Sequence, residues 1–299
     1  MQRHVKLISI VLVGVALGCA SALSGEDQQK EWQVLVREAE SRLEAKDFAE
    51  AQKLLQNALD AGIPVGKRWS VLYSLGLAYS QTNDWAKAEK YLKRALQEGE
   101  GVLGREDPLL SRLTNVLAGV YQNTGQYALA ERYHKRTLDL QESILPPNSP
   151  QLATLLMNVA SVLNLELKGK EAEPFARRAL EVASSSEGSD SPKLALIRGN
   201  LANSLRLQGR FDEAEQLYRQ ALEVERKVFG DAHQFTADTY WGLAFIAKKR
   251  GQLETSLSLY EKAMQGFEGS FSSADPAMKQ LRSEFEQVKA ALGAAQTRD

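Results

Sequence analysis

The sequence predicts an all-α protein, a right-handed α-solenoid of about six helix–turn–helix units closed by a C-terminal capping helix. Three observations predict it. An Ala-Glu pair recurs at Ala88-Glu89, Ala130-Glu131, Ala172-Glu173 and Ala214-Glu215, a constant step of 42 residues, and the next step lands on Ser256. Seven residues after each anchor stands a small residue followed by a hydrophobe: Ala95-Leu96, Thr137-Leu138, Ala179-Leu180, Ala221-Leu222 and Ala263-Met264. Twelve residues before each anchor stands another small residue: Gly76, Ala118, Ala160, Ala202 or Ala244. A fixed period of this size marks a repeat array, whose units bury their apolar faces only on their neighbours.

The fifth unit shows how one repeat folds. Pro192 opens helix A, and Leu194, Leu196, Ile197, Leu201, Ala202 and Leu205 form an apolar stripe at helical spacing. Gly209 ends it at C′, where a left-handed residue is wanted. Asp212 is the expected N-cap of helix B, which carries Ala214, Leu217, Tyr218, Ala221, Leu222 and Val224. The small residues let helices A and B approach closely. In the fourth unit Leu167 takes the turn-glycine position with Gly169 two residues later, so a slightly altered turn is expected; Pro174 is expected in the first turn of helix B. A shorter first unit repeats the pattern at Ala39, Ala51 and Ala58-Leu59, only 37 residues ahead of Ala88. The expected spans are 31–61, 69–99, 111–141, 153–183, 195–225 and 237–267. A last helix from Pro276 to about Leu292, with Met278, Leu281, Phe285, Val288 and Leu292 on one face, is the expected cap.

Leu75-Gly76, Tyr79, Ala88, Leu92 and Ala95 sit at the offsets of a tetratricopeptide repeat, and Leu117-Ala118, Tyr121 and Ala130 repeat them, so the array resembles that family. Its eight extra residues per unit resemble the kinesin light chain subclass, as do the linker Phe229-Gly-Asp-Ala-His233 and, more loosely, Leu103-Gly-Arg-Glu-Asp-Pro108. The resemblance implies a repeat solenoid over 31–269; beyond it the residues themselves predict a capping helix over 275–293 and a short tail over 294–299.

The first residues read as an export signal. Arg3, His4 and Lys6 precede an apolar run from Leu7 to Leu17, followed by small residues; the run is too short to span a membrane, which takes about 20 apolar residues. Two processing sites fit. Cleavage after Ala22 gives a signal peptide of residues 1–22, whereas Ala16-Leu17-Gly18-Cys19 resembles a bacterial lipobox, which implies lipidation of Cys19 and a membrane anchor. Either route places the mature chain in the bacterial cell envelope, in the periplasm or on the membrane. Cys19 is the only cysteine, so the mature body forms no internal disulfide.

A net charge of −1 supplies no basic face for nucleic acid. No His/Cys/Asp spacing suggests a metal, no Gly-rich strand-to-helix turn suggests a nucleotide cofactor, and no serine has nucleophile-elbow context, so no enzyme, catalytic residue or cofactor is expected. The expected ligand is a protein or extended peptide. In tetratricopeptide arrays helix A lines a concave groove, which implies the partner-facing positions Asn115, Gln122, Asn123, Asn164, Asn203, Arg206, Trp241, Phe245 and Lys248, flanked by Tyr73, Leu77, Gly119, Met157, Gly199 and Lys249. Asparagine is unfavourable inside helices, so its recurrence on one face needs a cause: clamping a bound backbone, or bridging adjacent helices, as Asn158 and Asn200 are placed to do. A different class of function, a scaffold that self-associates through its convex face or through Leu281 and Phe285 of the cap, fits the same array.

Overall fold

A computed structural model describes residues 25–188, 190–268 and 275–296. The expected export signal, with Cys19 and both expected processing sites, lies outside the described residues, which contain no helix long and apolar enough to cross a membrane. Thirteen α-helices and no strands are found among them. They pair as antiparallel hairpins: α1 (Gly25–Glu44) with α2 (Phe48–Asp60), α3 (Val65–Gln81) with α4 (Trp85–Leu103), and α5 (Ser111–Asn123) with α6 (Tyr127–Glu142). The series continues with α7 (Pro150–Leu165) and α8 (Gly169–Ser184), α9 (Pro192–Leu207) and α10 (Phe211–Val228), and α11 (Gln234–Lys249) and α12 (Leu253–Phe267). The last helix, α13 (Pro276–Gln296), packs on α12 and runs four residues past the expected end near Leu292, into the stretch read as a tail.

The period is a packing period. Ala88, Ala130, Ala172, Ala214 and Ser256 are wholly buried, as are Ala118, Ala160, Ala202 and Ala244 opposite them. Where the anchor is serine, its hydroxyl donates 2.9 Å to the carbonyl of Ala244, so the two helices almost touch. The glutamate after the anchor has a second job. Lys168 reaches Glu131 at 2.9 Å, Arg210 reaches Glu173 at 2.7 Å, and Arg250 pairs with Glu215, each cation coming from the next hairpin. Burial works to raise the Glu173 carboxyl, but hydrogen bonds from Gln208, Arg177 and Arg210 outweigh it and hold it at about 2. The recurrent Ala-Glu pair thus joins helices within a hairpin and hairpins to each other.

Three local expectations are corrected. The N-cap of α10 is Arg210, whose side chain makes no capping bond; the amide of Phe211 bonds to the carbonyl of Gly209 at 2.9 Å, which starts the helix before Asp212. Asp212 instead sits in the first turn, where it favours the helix dipole and pairs with Arg250. The fourth turn is not altered. Leu167 adopts the left-handed conformation itself, φ +61°, as Gly209 does at +76°. Gly169 serves another purpose: a Cβ there would stand 2.6 Å from both Leu207 Cβ and the Ser204 carbonyl oxygen, so its lack of a side chain lets α9 cross the start of α8. Pro174 lies in the second turn of α8, where it removes the bond to the Lys170 carbonyl rather than an orphan donor.

Candidate functional site: the inner groove

Successive A helices touch directly, α3 with α5, α7 with α9 and α9 with α11, whereas the B helices have no comparable contact with one another. The stack therefore bends with its A helices inside, and their outward-turned residues form a groove. Direct polar bonds knit this row sideways. Asn158 donates to Asn115 Oδ1 at 3.4 Å across α7 and α5. Asn164 donates to the Asn200 carbonyl at 3.0 Å and accepts the Ser204 hydroxyl at 3.0 Å across α7 and α9. Asn200 itself bonds back to the Leu196 carbonyl at 3.3 Å, and Asn123 to the Gly119 carbonyl at 2.9 Å, each within its own helix. The asparagines therefore have structural partners within and between the A helices. Gln122 is half-buried beside them.

Toward the C-terminal end the groove becomes aromatic and cationic. Phe245 lies between the Arg206 guanidinium at 4.9 Å and the Lys249 ammonium at 5.4 Å, and meets Phe211 edge-on at 6.3 Å. Arg206 donates weakly to Asn203 Oδ1 at 3.4 Å, while its buried Nε has no partner. Asn203 Oδ1 also accepts the Tyr218 hydroxyl at 2.8 Å, and burial pushes that phenol up to about 12. Trp241 and Lys248 are engaged by the cap: the indole donates to Glu284 at 2.7 Å and the ammonium to Gln287 at 2.7 Å. Glu284 further accepts the Tyr260 hydroxyl at 3.1 Å.

The nine predicted residues thus share one face, but in two groups. Asn115, Gln122, Asn123 and Asn164 line the middle; Asn203, Arg206 and Phe245 line the C-terminal end, where Trp241 and Lys248 meet α13. Sequence reasoning missed Tyr218, Tyr260 and Glu284. Gly242 was the available signal for the first, since a mid-helix glycine outside any turn marks a close approach. His134 is no site residue: it is buried with neither ring nitrogen hydrogen-bonded, and burial lowers it to about 4. His233 caps α11, accepting the Phe235 amide at 3.2 Å and stacking on Phe229 at 4.8 Å. Among the described residues no cluster of three or more His, Cys, Asp or Glu could hold a metal. Leu281, considered above as an adhesive surface, is wholly buried against the last hairpin.

Tetratricopeptide repeat models match residues 70–143, 109–185, 151–227 and 193–269, and a second model of that description matches 36–102. No curated protein matches the chain. Among solved structures, the apo form of RapI is 14% identical, with 89% of this chain and 99% of that one covered and a TM-score of 0.60. A tetratricopeptide repeat protein from Parabacteroides merdae is 15% identical, with 86% and 99% covered and a TM-score of 0.56. Kinesin light chain repeats from Podospora anserina are 18% identical, with 66% and 96% covered and a TM-score of 0.56. At such identities the likeness is one of fold. With repeat models tiling residues 36–269, this chain belongs to the tetratricopeptide repeat family.

Proposed function

We propose that the protein is a non-enzymatic adaptor of the bacterial cell envelope that holds an extended segment of a protein partner in its inner groove. Tetratricopeptide arrays generally mediate protein–protein interactions, and the 42-residue step together with the Phe229–His233 linker aligns this array with the kinesin light chain type. Processing at Cys19 tethers it to the membrane through its lipid; processing after Ala22 releases it.

Arg206 is the observation that carries the groove reading. A guanidinium normally satisfies its donors, and leaving a buried one unpaired costs about 1–3 kcal/mol. Here the Nε is buried and unpartnered, beside the Phe245 ring and the Asn203 side-chain oxygen. A bound acceptor, such as a carbonyl or carboxylate of the partner, offsets that cost only in the complex.

The test places a photo-crosslinking residue at Gln122 in the groove or at Lys93, exposed on α4, in cells of the native type. A discrete adduct from position 122, absent from 93 and lost with Arg206→Gln at unchanged melting temperature, supports the reading. Adducts only from 93, or adducts indifferent to Arg206→Gln, overturn it. Intact mass of the processed chain decides between Cys19 and Leu23 as the first residue.

A further inference from the structure

One register position of helix A normally carries a bulky side chain: Tyr79, Tyr121, Leu163 and Leu205 in the second to fifth hairpins. Tyr79 stacks on Tyr91, and Tyr121 on Tyr133, with ring centroids 5.5 Å apart in both cases. The Tyr121 hydroxyl reaches back to Glu89 of the preceding hairpin at 3.5 Å. Leu163 and Leu205 are buried at the same place. In the sixth hairpin the position is Ala247.

The missing side chain leaves a cavity of about 230 Å³ between α10, α11 and α12, walled by Leu243, Ile246 and Leu259. Leu259 occupies the position of Tyr91 and Tyr133, and Glu215, the counterpart of Glu89, stands at the edge. With no phenol to accept, Glu215 is held by Arg219 at 2.6 Å and by Arg250. An apolar cavity of about 150 Å³ is enough to bind benzene, so this one accommodates an aromatic ring with room for a short substituent.

The mouth sets the sign of the ligand. Arg219, Arg226, Arg250 and Lys262 line it, and the carboxylates reaching the arginines are Glu215, Asp231 and Asp212. Lys262 lies 5.2 Å above the Tyr240 ring and makes no salt bridge among the described residues, while its charge also favours the nearby Asp231 carboxylate. An apolar pocket with a few convergent polar groups is the usual form of a small-molecule site. We propose that this cavity binds a small aromatic carboxylate, whose ring replaces the absent tyrosine side chain and whose carboxylate meets Lys262 and the neighbouring arginines. The site lies away from the groove and stands or falls independently of it.

Methyl NMR of the exported chain, titrated with 3-phenylpropionate and with the neutral 3-phenylpropan-1-ol, tests this. Saturable shifts of the Ile246 and Ala247 methyls are expected, with the acid binding more tightly than the alcohol. Ala247→Leu installs the residue of the fourth and fifth hairpins, so it fills the cavity, abolishes saturable binding and raises the melting temperature; Ala247→Val does so in part. Lys262→Gln weakens the acid about tenfold, the equivalent of about 1.4 kcal/mol, and leaves the alcohol unchanged. Absence of saturable shifts in the native chain overturns the site, as does undiminished binding by both alanine variants. Equal affinity for acid and alcohol overturns the anionic ligand.

Discussion

Tyr218 of α10 lies against α11 where Gly242 leaves room for it: a Cβ on residue 242 would stand 2.6 Å from the phenolic oxygen. Through this gap the hydroxyl reaches Asn203 in the groove. A helix-interior glycine normally costs about 1 kcal/mol relative to alanine, so here the close approach outweighs propensity. Gly242→Ala is therefore expected to destabilise by about 1–3 kcal/mol through overpacking, measured by urea denaturation. Combined with Tyr218→Ala, it should cost less than the sum of the two single changes. Gly101→Ala in α4, where a Cβ meets nothing within 4 Å, should stabilise by about 0.5–1 kcal/mol instead.

The turn at Leu167 gives a prediction of opposite sign. A left-handed leucine costs about 1–2 kcal/mol, and this one is 76% exposed, so it returns little packing energy. Leu167→Gly restores the residue of the equivalent turns at Gly125, Gly209 and Gly251 and should raise the unfolding midpoint by about 1 kcal/mol of stability. Unchanged stability would mean that the leucine side chain contributes a contact of equal worth.

These two cases show where the chain was legible. The 42-residue step was visible because small residues are demanded wherever two helices nearly touch, and Ala88, Ala130, Ala172 and Ala214 are wholly buried, as is Ser256 at the same position. The proposed groove row rests on the same register. The roles of the anchor glutamates, of Tyr218 and of Glu284 were not legible, since each depends on which residue of the next hairpin comes into reach. Helical periodicity fixes a face; it does not fix a partner 35 or 37 residues away. Asp212 misled because aspartate is favoured both as a cap and in the first turn.

Glu225 makes stability depend on pH. It is 1% exposed, one oxygen lacks a hydrogen-bond partner, and burial lifts the carboxyl from 4.5 to about 7, with Thr239 opposing and Asp238 adding to the rise. Because the folded value lies above the unfolded one, the native state holds the proton more tightly. Its contribution is complete below about pH 4.5 and is lost as pH rises through 7, a change of about 3 kcal/mol at most. Glu225→Gln should remove this dependence and leave the variant more stable than the native chain above pH 7. Parallel denaturation curves of the two proteins at every pH would rule the assignment out.

The cap depends on a shared acceptor. Glu284 of α13 takes the Trp241 indole at 2.7 Å and the Tyr260 hydroxyl at 3.1 Å, so one carboxylate joins the cap to both helices of the last hairpin. Tyr260 is wholly buried and Trp241 is half-buried, so Glu284→Ala leaves two donors without an acceptor in a place where water enters poorly. Each such donor costs about 1–3 kcal/mol. Met278, Leu281 and Val288 still bury their side chains on the hairpin, so α13 is expected to stay helical but to open more often. Hydrogen exchange should show faster amide exchange throughout α13 and at the end of α12, with α3 to α8 unaffected. Glu284→Gln keeps an acceptor oxygen for one of the two donors and should lie between the alanine variant and the native chain.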